Sequence, residues 1–450
     1  MRLKYSRNMD HQEFFAGKRV TIMGLGVLGR GVGDAAFIAQ HGAHVIVTDK
    51  KTEGELAESV QQLKEFNNIT LHLGGHDAVD FTETDMVIKA AGVRLDAPEI
   101  AAAHEASVPV YMSTALFAKF AHNNGARIVG VTGTRGKSTV SHLIYHSLLE
   151  AQVPAHLGGN IRGKSTLAML PDIKKGDVVV LELDSWQLQG FGDLALSPQV
   201  AVLTNLMPDH LNYYESLLQY FEDKANIYRN QHEGDVFIAG AAVADEWVPH
   251  VAAPVAPIIP RELPASVTLA MPGAHNRENA AFALEALRAL GIDEEKAQKS
   301  IASFAGVEGR LQFLAERNGV KIYNDNNATT PAATIAALRA LETGSVILIM
   351  GGADKGIDMR SLVLEMENRC KKVVLLAGTG TNALLSYLRA SNHEIPIVGP
   401  ESSMKAAVAE AFRAAQKGDV VVFSPAFASF GMFKNEYDRN DQFVSAIHAL

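Results

Sequence analysis

The chain has 450 residues, which is too long for one compact core, so two to four domains are expected. Its 47% hydrophobic and 20% charged residues, with 37 glycines, are typical of a well-packed α/β protein and exclude a disordered or fibrous one. The net charge of −9 argues against a general nucleic-acid binder, and the single cysteine, Cys370, excludes an internal disulfide or a cysteine metal cluster. The N-terminal residues lack the apolar run of a signal peptide, and no apolar stretch reaches the roughly 18 residues of a membrane span. We therefore expect a cytoplasmic protein without membrane insertion.

Three regimes follow one another along the chain. From residue 18 to about 112, β-rich runs such as VTIMG and HVIVTD alternate with helical patterns, which predicts a parallel sheet with crossover helices. A second regime continues from ARIVGVTG through DVVVLELDS and QVAVLTNL to about residue 309. The third opens with GRLQFLAERNGVKIYND, where Asn318 and Gly319 predict a hairpin turn, and contains SVILIMGG, KVVLLAG and DVVVFSP. The sequence predicts an α/β fold of three consecutive α/β units.

The first glycine-rich turn is GLGVLG at residues 24–29. It follows a predicted strand and precedes a helix, and Asp49 ends the next strand about 20 residues further on. This pattern is typical of loops that receive a pyrophosphate at a helix N-terminus, from a dinucleotide or from a nucleotide-sugar diphosphate. Lys50 and Lys51, beside Asp49, would then face the phosphates. The alternative is that the tight turn requires glycine for its geometry alone.

The second glycine-rich turn is GVTGTRGKST at residues 130–139. Its three glycines allow backbone amides to face phosphate oxygens, Lys137 can reach the β- and γ-phosphates, and the Ser138 hydroxyl can ligate Mg²⁺. Val131 stands where the standard P-loop has its first glycine. We predict that the loop binds a nucleoside triphosphate, while hydrolysis, transfer to a hydroxyl and activation of a carboxylate all stay open.

Ionisable side chains follow the next strands. Glu182 ends the strand in DVVVLELDS, a position that supplies an acidic Mg²⁺ partner in P-loop folds. Asp209 and His210 follow QVAVLTNL, and Lys224 lies on a predicted amphipathic helix. Taken singly, such a histidine is usually structural and such a lysine usually lies on the surface. After a P-loop and Glu182, His210 becomes a candidate ligand for a second metal.

Taken together, the motifs resemble those of the Mur ligases, the ATP-dependent amide-forming enzymes of peptidoglycan precursor synthesis. The matching stretches span essentially the whole chain and are GVTGTRGKST, GGN at 158–160, ELDSWQLQ, NLMPDHLNYY with DKANIYRNQ, GAHNRENAAFAL, GRLQF, YNDNNATTPAATIAALRAL, MGGADKG and SPAFASFGMFKNEYDRNDQF. The last three are similar to the glutamate-adding members. The resemblance implies a Rossmann-like UDP-substrate domain (1–112), a P-loop ATPase-like central domain (113–309) and a Rossmann-like C-terminal domain that binds the amino acid (310–450).

The resemblance also implies roles for individual residues. ATP would be bound by Gly130, Thr132, Gly133, Thr134, Arg135, Gly136, Lys137, Ser138, Thr139, Asn276, Asn279, Arg310 and Asp325. The UDP substrate would be bound by Gly24, Gly26, Val27, Leu28, Gly29, Asp49, Lys50 and Asn160, and glutamate by Thr329, Lys355 and Ser429. Catalysis would depend on Lys137, Glu182, His210 and Lys224. Two Mg²⁺ ions would be held by Ser138, Glu182, His210 and a carbamate on Lys224. A plain helix cap remains the alternative for Asn276, and a turn lysine for Lys355.

The implied reaction converts the alanyl carboxylate of UDP-N-acetylmuramoyl-L-alanine into an acyl phosphate, which the amine of D-glutamate attacks, with release of ADP and phosphate. Three alternatives are open: the same machinery with L-glutamate or another amino acid, a non-catalytic nucleotide-sugar-binding protein, and a dehydrogenase built on GLGVLG. The dehydrogenase does not explain the P-loop. A monomer that binds only small molecules, and no nucleic acid, is expected.

Several residues depart from the family pattern. Arg135 replaces asparagine, Asp184 and Trp186 replace serine and phenylalanine, Ala90 and Ala91 replace Ser-Pro, Asn327 replaces lysine, Gly431 replaces aspartate and Glu436 replaces phenylalanine. We expect the Arg135 side chain to point outward. Gly431 and Glu436 fall where the side chain and stereochemistry of the amino acid would be distinguished, so the enantiomer of glutamate stays open.

Overall fold

The computed structural model describes residues 10–27, 29–161, 163–210, 213–390 and 395–450. The chain forms two compact units. One consists of the residues as far as Glu262 together with Ala281–Ala297, and the other of Leu263–Ala280 together with Gln298–Leu450. The first unit contains two sheets and the second contains one. The candidate residue Leu28 lies outside the described residues.

The N-terminal sheet has the strand order β3-β2-β1-β4-β5, and all of its pairings are parallel. Its strands are β1 (Arg19–Met23), β2 (His44–Asp49), β3 (Ile69–Leu73), β4 (Met86–Lys89) and β5 (Val110–Tyr111). Its helices are α1 (His11–Phe15), α2 (Arg30–Gln40), α3 (Ala57–Leu63), α4 (Val79–Thr82), α5 (Pro98–Glu105) and α6 (Ser113–Asn123). The strand order reverses between β1 and β4, and ligands of open α/β sheets bind at such a switch point, beyond the carboxyl ends of the strands.

The central sheet has the order β11-β10-β9-β6-β8-β7 and is also parallel. Its strands are β6 (Arg127–Thr132), β7 (Ala155–Gly159), β8 (Val178–Glu182), β9 (Val200–Leu203), β10 (Val236–Ala239) and β11 (Pro257–Ile258). The helices here are α7 (Lys137–Glu150), α8 (Ser185–Asp193), α9 (Leu217–Ala225) and α10 (Ala241–Glu246), with 3₁₀ helices at Leu167–Asp172 and Val248–His250. The residues of α11 (Ala274–Ala289) and α12 (Glu294–Ser303) divide between the two units.

The C-terminal sheet has the order β12-β13-β17-β14-β15-β16. Its strands are β12 (Gln312–Arg317), β13 (Val320–Asn324), β14 (Val346–Met350), β15 (Cys370–Leu376), β16 (Ile397–Glu401) and β17 (Val420–Phe423). Its helices are α13 (Pro331–Ala340), α14 (Arg360–Arg369), α15 (Thr379–Ala390), α16 (Met404–Ala414) and α17 (Glu436–His448). β12 and β13 pair antiparallel, and Asn318 and Gly319 between them have φ of 53° and 76°, which confirms the predicted hairpin turn.

The central strands explain why each sheet forms. β8, β14 and β17 consist mainly of valine, isoleucine and leucine and are buried along their whole length, as expected for parallel strands covered on both faces by helices. The three predicted α/β units are confirmed. In the described ranges, no helix combines the length and the apolar character that a membrane crossing requires.

Candidate functional site

The loop at 130–139 leaves the end of β6 and enters α7. Gly133 has φ of 142°, and a side chain there would place its Cβ 2.0 Å from the Thr204 hydroxyl oxygen. Gly136 has φ of 85° and directly precedes α7. Glycine is therefore required at both positions, because other residues rarely adopt these dihedral angles and Gly133 has no room for a side chain.

The end of β9 supports this loop. The backbone amide of Thr134 donates to the Asn205 carbonyl at 2.9 Å, and that of Arg135 donates to Asn205 Oδ1 at 2.8 Å. The Thr204 hydroxyl donates to the Arg135 carbonyl at 2.6 Å. Sequence reasoning missed Thr204 and Asn205, although two polar residues that directly follow an apolar strand were the signal. The Arg135 side chain is exposed, which confirms that it points outward.

Two lysines converge on one carbonyl of the loop. Lys137 Nζ donates to the carbonyls of Gly133 and Thr134, both at 3.1 Å. Lys224 Nζ donates to the same Gly133 carbonyl at 3.0 Å and lies 3.3 Å from the Thr132 hydroxyl oxygen. Lys224 is 1% exposed, so its interpretation as a surface lysine is wrong. Burial, reinforced by the charge of Lys137, holds the pKa of Lys224 well below its ordinary value.

The remaining predicted catalytic residues surround the same loop. Glu182 is buried at the carboxyl end of β8, where its strand partner is Val131 of β6. His210 has φ of 55°, and its ring centroid lies 4.7 Å from that of Trp186. Ser138 and Thr139 occupy the first turn of α7 and are half-buried. The structure therefore places Ser138, Glu182 and Lys224 at elements that meet at this end of the central sheet.

The donor chemistry of this region differs from that of a preformed acidic metal site. Among the described residues, no group of three or more His, Cys, Asp or Glu side chains could hold a metal ion by itself. A hydroxyl, a buried carboxylate and an imidazole are available as Ser138, Glu182 and His210. Hard cations such as Mg²⁺ prefer oxygen ligands and often complete their shell with phosphates and water. These residues fit a cation that arrives with a nucleotide.

The loop at 24–29 is bonded to an acidic side chain of its own sheet. Asp49 Oδ2 accepts the backbone amides of Leu25 at 2.9 Å and Gly26 at 3.0 Å, and Oδ1 accepts the amide of Lys51 at 3.0 Å. The glycines at 24, 26 and 29 all have positive φ. Both Asp49 oxygens are thus engaged by the backbone, and the carboxylate holds the shape of the loop.

Two clefts adjoin this loop. One, of about 380 Å³, is lined by Gly24, Gly26, Val27, Arg30, Asp34, Asp49, Lys51 and Lys89 among others. The other, of about 490 Å³, is lined by Gly24, Asp49, Lys50, His76 and Arg94 among others. The two adjacent lysines thus line different clefts, with Lys51 in the first and Lys50 in the second.

Asn160 is joined to the first glycine loop by a residue that the sequence reasoning missed. Arg30, the first residue of α2, donates from Nη2 to Asn160 Oδ1 at 3.0 Å and from Nε to the Ile161 carbonyl at 3.1 Å. The backbone amide of Asn160 donates to the Glu182 carbonyl at 2.7 Å. A basic residue placed directly after GLGVLG was the available signal.

In the second compact unit, Asp325 is buried and accepts the Leu311 amide at 3.0 Å and the Ser424 hydroxyl at 2.8 Å. Burial raises its pKa to about 7. Arg310 is exposed. Asn276 lies inside the first turn of α11 and donates to the Pro272 carbonyl at 2.8 Å, so its interpretation as the helix cap is wrong. Asn279 Nδ2 lies 3.5 Å from Asn276 Oδ1.

The residues that were predicted to bind glutamate also belong to the second unit. Lys355 Nζ donates to the Thr329 hydroxyl at 3.0 Å, so these two predicted ligands lie together, and Ser429 is buried. Nearby, the fully buried Arg439 donates to both the side-chain and backbone oxygens of Asn326 at 2.8 Å. Arg439 therefore holds the NDNNAT segment, a role that sequence reasoning did not assign.

Three residues that differ from the family pattern lie in this unit, and the structure shows the surroundings of each. Asn327 is exposed, and its side-chain amide lies 3.3 Å from the Glu308 carbonyl. Gly431 has φ of 96°, a conformation that favours glycine over the aspartate of the family pattern. Glu436 begins α17, and its carbonyl accepts the Asn326 side chain at 2.9 Å.

Family models match most of the chain. The Mur ligase MurD-like N-terminal domain matches residues 18–112, the Mur ligase middle domain matches 131–258, and the Mur ligase glutamate ligase domain matches 309–427. A UDP-N-acetylmuramoylalanine–D-glutamate ligase of Roseiflexus sp. (strain RS-1) is 34% identical, with 97% of this chain and 99% of the relative covered. A ligase of the same name from Borreliella afzelii (strain PKo) is 32% identical, with coverage of 95% and 97%.

Solved structures share the fold. The UDP-N-acetylmuramate-alanine ligase of Thermotoga maritima superposes with a TM-score of 0.59 at 20% identity, covering 96% of this chain and 99% of that one. A MurF ligase of Thermotoga maritima in complex with ADP gives a TM-score of 0.52 at 16% identity, with coverage of 90% and 94%. The matches to all three family models, and to relatives above 30% identity over nearly the full length, agree with the P-loop and the three sheets. The chain therefore belongs to the Mur ligase family.

Proposed function

We propose that this chain joins D-glutamate to UDP-N-acetylmuramoyl-L-alanine at the expense of ATP, releasing ADP and phosphate. The observation that carries the proposal is the pair of lysines at the P-loop: Lys137 donates to the Gly133 and Thr134 carbonyls, and Lys224 is buried against the same Gly133 carbonyl with its pKa lowered. A simple phosphate-binding loop does not need a second, buried lysine. The curated relatives that bear the D-glutamate ligase name support the choice of substrates.

The predicted domains at 1–112, 113–309 and 310–450 would together bind the three substrates. The glycine loop at 24–29 with Asp49, Lys50 and Asn160 would bind the UDP substrate. The loop at 130–139 would bind the ATP phosphates, and Asn276, Asn279, Arg310 and Asp325 would contact the nucleotide. Thr329, Lys355 and Ser429 would bind glutamate. We propose a monomer that acts in the cytoplasm, where these small molecules are its partners.

Magnesium would accompany the nucleotide. Ser138 and Glu182 would hold one ion, and His210 with a carbamate on Lys224 would hold a second. Because the lowered pKa of Lys224 favours the neutral amine, this side chain can add CO₂ and become an anionic ligand. Mg²⁺, when bound, would offset the charge of the phosphates.

The reaction brings two anions together. An oxygen of the alanyl carboxylate attacks the γ-phosphorus of ATP, forming an O–P bond while the bond to the bridging oxygen breaks and ADP leaves. The Lys137 ammonium would offset the negative charge that develops on the transferred group. The neutral amine of glutamate then attacks the acyl carbon, and the resulting tetrahedral intermediate loses one proton from nitrogen and expels phosphate, which can carry that proton away. Water must be excluded, because it would hydrolyse the acyl phosphate.

The test supplies the purified protein with ATP, Mg²⁺, UDP-N-acetylmuramoyl-L-alanine and either D- or L-glutamate, and measures phosphate release together with the ligated product. We expect release with D-glutamate that requires both other substrates. Release with neither enantiomer would contradict the proposal. Release with L-glutamate alone would instead assign the other enantiomer, a result that the departures at Gly431 and Glu436 make worth measuring.

A further inference from the structure

Lys89 occupies the switch point of the N-terminal sheet. It is the last residue of β4, and in the strand register it lies beside Met23, the last residue of β1, from which the loop at 24–29 departs. Its side chain is 2% exposed and lines the 380 Å³ cleft next to that loop. Ligands bind in the crevice at this point of open α/β sheets. A buried cation therefore lies where the substrate of this domain would enter.

Other groups of the protein provide only part of the hydrogen bonding and charge pairing that the Lys89 ammonium can form. Lys89 Nζ donates to the Val93 carbonyl at 3.0 Å, and in the part of the chain that the structure describes it forms no ion pair. Burial lowers its pKa to about 8, an effect opposed by the charges of Asp193, Asp223 and Asp184. Burial also raises the pKa values of Asp193 and Asp223. An ammonium has three N–H donors, and one carbonyl does not engage them all.

The other charges of the cleft favour an anionic ligand. The oxygens of Asp49 are engaged by loop amides, and Asp34 is buried, accepts the Ser165 hydroxyl at 2.6 Å and has its pKa raised by burial. Both acidic side chains are therefore engaged by hydrogen bonds within the protein. Arg30 and Lys51 line the same cleft and add positive charge to that of Lys89.

We infer that Lys89 binds the diphosphate of the nucleotide-sugar substrate, donating to it from the switch point beside the glycine loop. The inference rests on the proposed function, because it takes the nucleotide sugar as the ligand of this cleft. At the end of β4, Ala90 and Ala91 offer no side-chain donor, which leaves Lys89 as the polar side chain that this strand contributes to the cleft.

A ligand role and a structural role predict opposite effects of neutralising Lys89. A buried, incompletely paired charge destabilises the folded protein, so an apolar residue of similar length is neutral or stabilising. If Lys89 binds the ligand, its substitution should weaken binding without lowering stability. If Lys89 instead stabilises the fold through Val93 and the acidic residues, its substitution should lower stability without weakening binding.

The experiment compares the full chain with Lys89→Met, Lys89→Gln and the control Lys119→Met, which removes a half-buried lysine of α6 that does not line the cleft. Calorimetry measures the affinity for UDP and for uridine, which lacks the diphosphate, and thermal unfolding measures stability. For whichever Lys89 variant folds, we expect UDP to bind at least about 30-fold more weakly, as for loss of one partner of a buried charge pair. Uridine affinity and Tm should be maintained, and Lys119→Met should bind UDP as the wild type does.

Three results would overturn the inference: UDP affinity within about threefold of wild type, an equal loss for UDP and uridine, or a drop in Tm without a change in UDP affinity. The proposed function has a separate outcome. If the wild-type protein fails to bind UDP and to turn over UDP-N-acetylmuramoyl-L-alanine, then the function itself is wrong. If the wild type binds and turns over but Lys89→Met is unchanged, only the role of Lys89 is wrong.

Discussion

The two glycine loops of the first compact unit look alike in sequence but carry opposite internal charges. The loop at 24–29 already has an anion of the protein on it, because Asp49 accepts the amides of Leu25 and Gly26. The loop at 130–139 has a cation on it, because the Lys137 ammonium donates to the Gly133 carbonyl, and the buried Lys224 amine donates to the same carbonyl. In the first loop a carboxylate stabilises the shape of the turn, and in the second two lysine side chains are hydrogen-bonded to a carbonyl close to where phosphate would bind.

This difference shows that a glycine pattern defines a turn and not its ligand. Glycine permits the positive φ angles of both loops, but the side chains that reach each loop from distant parts of the chain set its charge. We therefore expect substitutions at the second loop to abolish chemistry and substitutions at the first to weaken substrate binding. The following predictions test this contrast, beginning with the largest effect.

Lys137→Ala should lower turnover by at least about 1,000-fold, because it removes the cation placed for the transferred phosphoryl group. Thermal unfolding should be nearly unchanged, since the Lys137 contacts are to carbonyls of a loop that Thr204 and Asn205 also hold. Phosphate release under saturating substrates measures the effect. Lys119→Ala is the control, because it removes a half-buried lysine of α6 outside the loop and should change turnover by less than about threefold. Near-normal activity of Lys137→Ala would show that Lys137 of this loop does not contribute to catalysis.

Lys224→Ala should lower turnover by about 100-fold, with partial recovery in acetate or propionate, which can supply a carboxylate in place of the carbamate. The lowered pKa of Lys224 means that its amine stays neutral at pH values where an exposed lysine is charged. As the pH falls through this lowered pKa, the amine gains a proton and cannot carry CO₂, so wild-type activity should fall on the acid side.

The Lys224→Ala variant rescued by a carboxylic acid should not show the loss of activity that protonation of Lys224 causes in the wild type at lower pH. Removal of dissolved CO₂ should reversibly lower wild-type activity and leave the rescued variant unaffected. Lys119→Ala, at a half-buried lysine of α6, serves as the control and should respond to neither carboxylates nor CO₂. Full activity of Lys224→Ala, or a loss that no carboxylate repairs, would count against the carbamate.

Asp49→Ala should weaken UDP binding by about tenfold and leave the KM for ATP unchanged, because the first loop loses the carboxylate that holds its shape while the second loop is untouched. Loss of these partly buried hydrogen bonds should also lower the free energy of unfolding by about 2 kcal/mol. Calorimetry and urea unfolding provide the two measurements, and Asp49→Asn, which keeps one acceptor oxygen, should lie between the variant and the wild type. An equal loss of UDP and ATP binding would show that the two loops are not independent.

Trp186→Phe should have the smallest effect, a change in kcat of less than about threefold, because an aromatic ring would still pack against His210. Trp186→Ala should lower kcat by about tenfold, since His210 would then lose the ring that orients it in a backbone conformation of positive φ. Steady-state kinetics with both variants distinguish these outcomes. Similar kinetics for the phenylalanine and alanine variants would mean that the ring does not position His210.

Much of the fold and the position of the candidate site followed from local patterns. The β-rich runs, the Asn318-Gly319 turn and the two glycine loops depend on dihedral preferences and on hydrophobic periodicity, which neighbouring residues express by themselves. The order of motifs along the chain was enough to identify the family, and the exposed position of Arg135 was anticipated correctly. These features depend on residues that are close together in the sequence.

The features that only the tertiary structure decided involve partners far apart in the chain. Taken singly, Lys224 looked like a surface residue on an amphipathic helix, yet α9 packs against α8 and the Lys224 side chain is buried at the end of β6, where burial lowers its pKa. Asp49 was predicted to bind the UDP substrate, and only the structure shows that its oxygens also accept amides of the loop some two dozen residues earlier. Arg30 and Lys89 acquired their importance only when the sheets brought them to Asn160 and to the switch point. Periodicity predicts which face of an element is buried, but desolvation and charge pairing depend on which distant element covers that face.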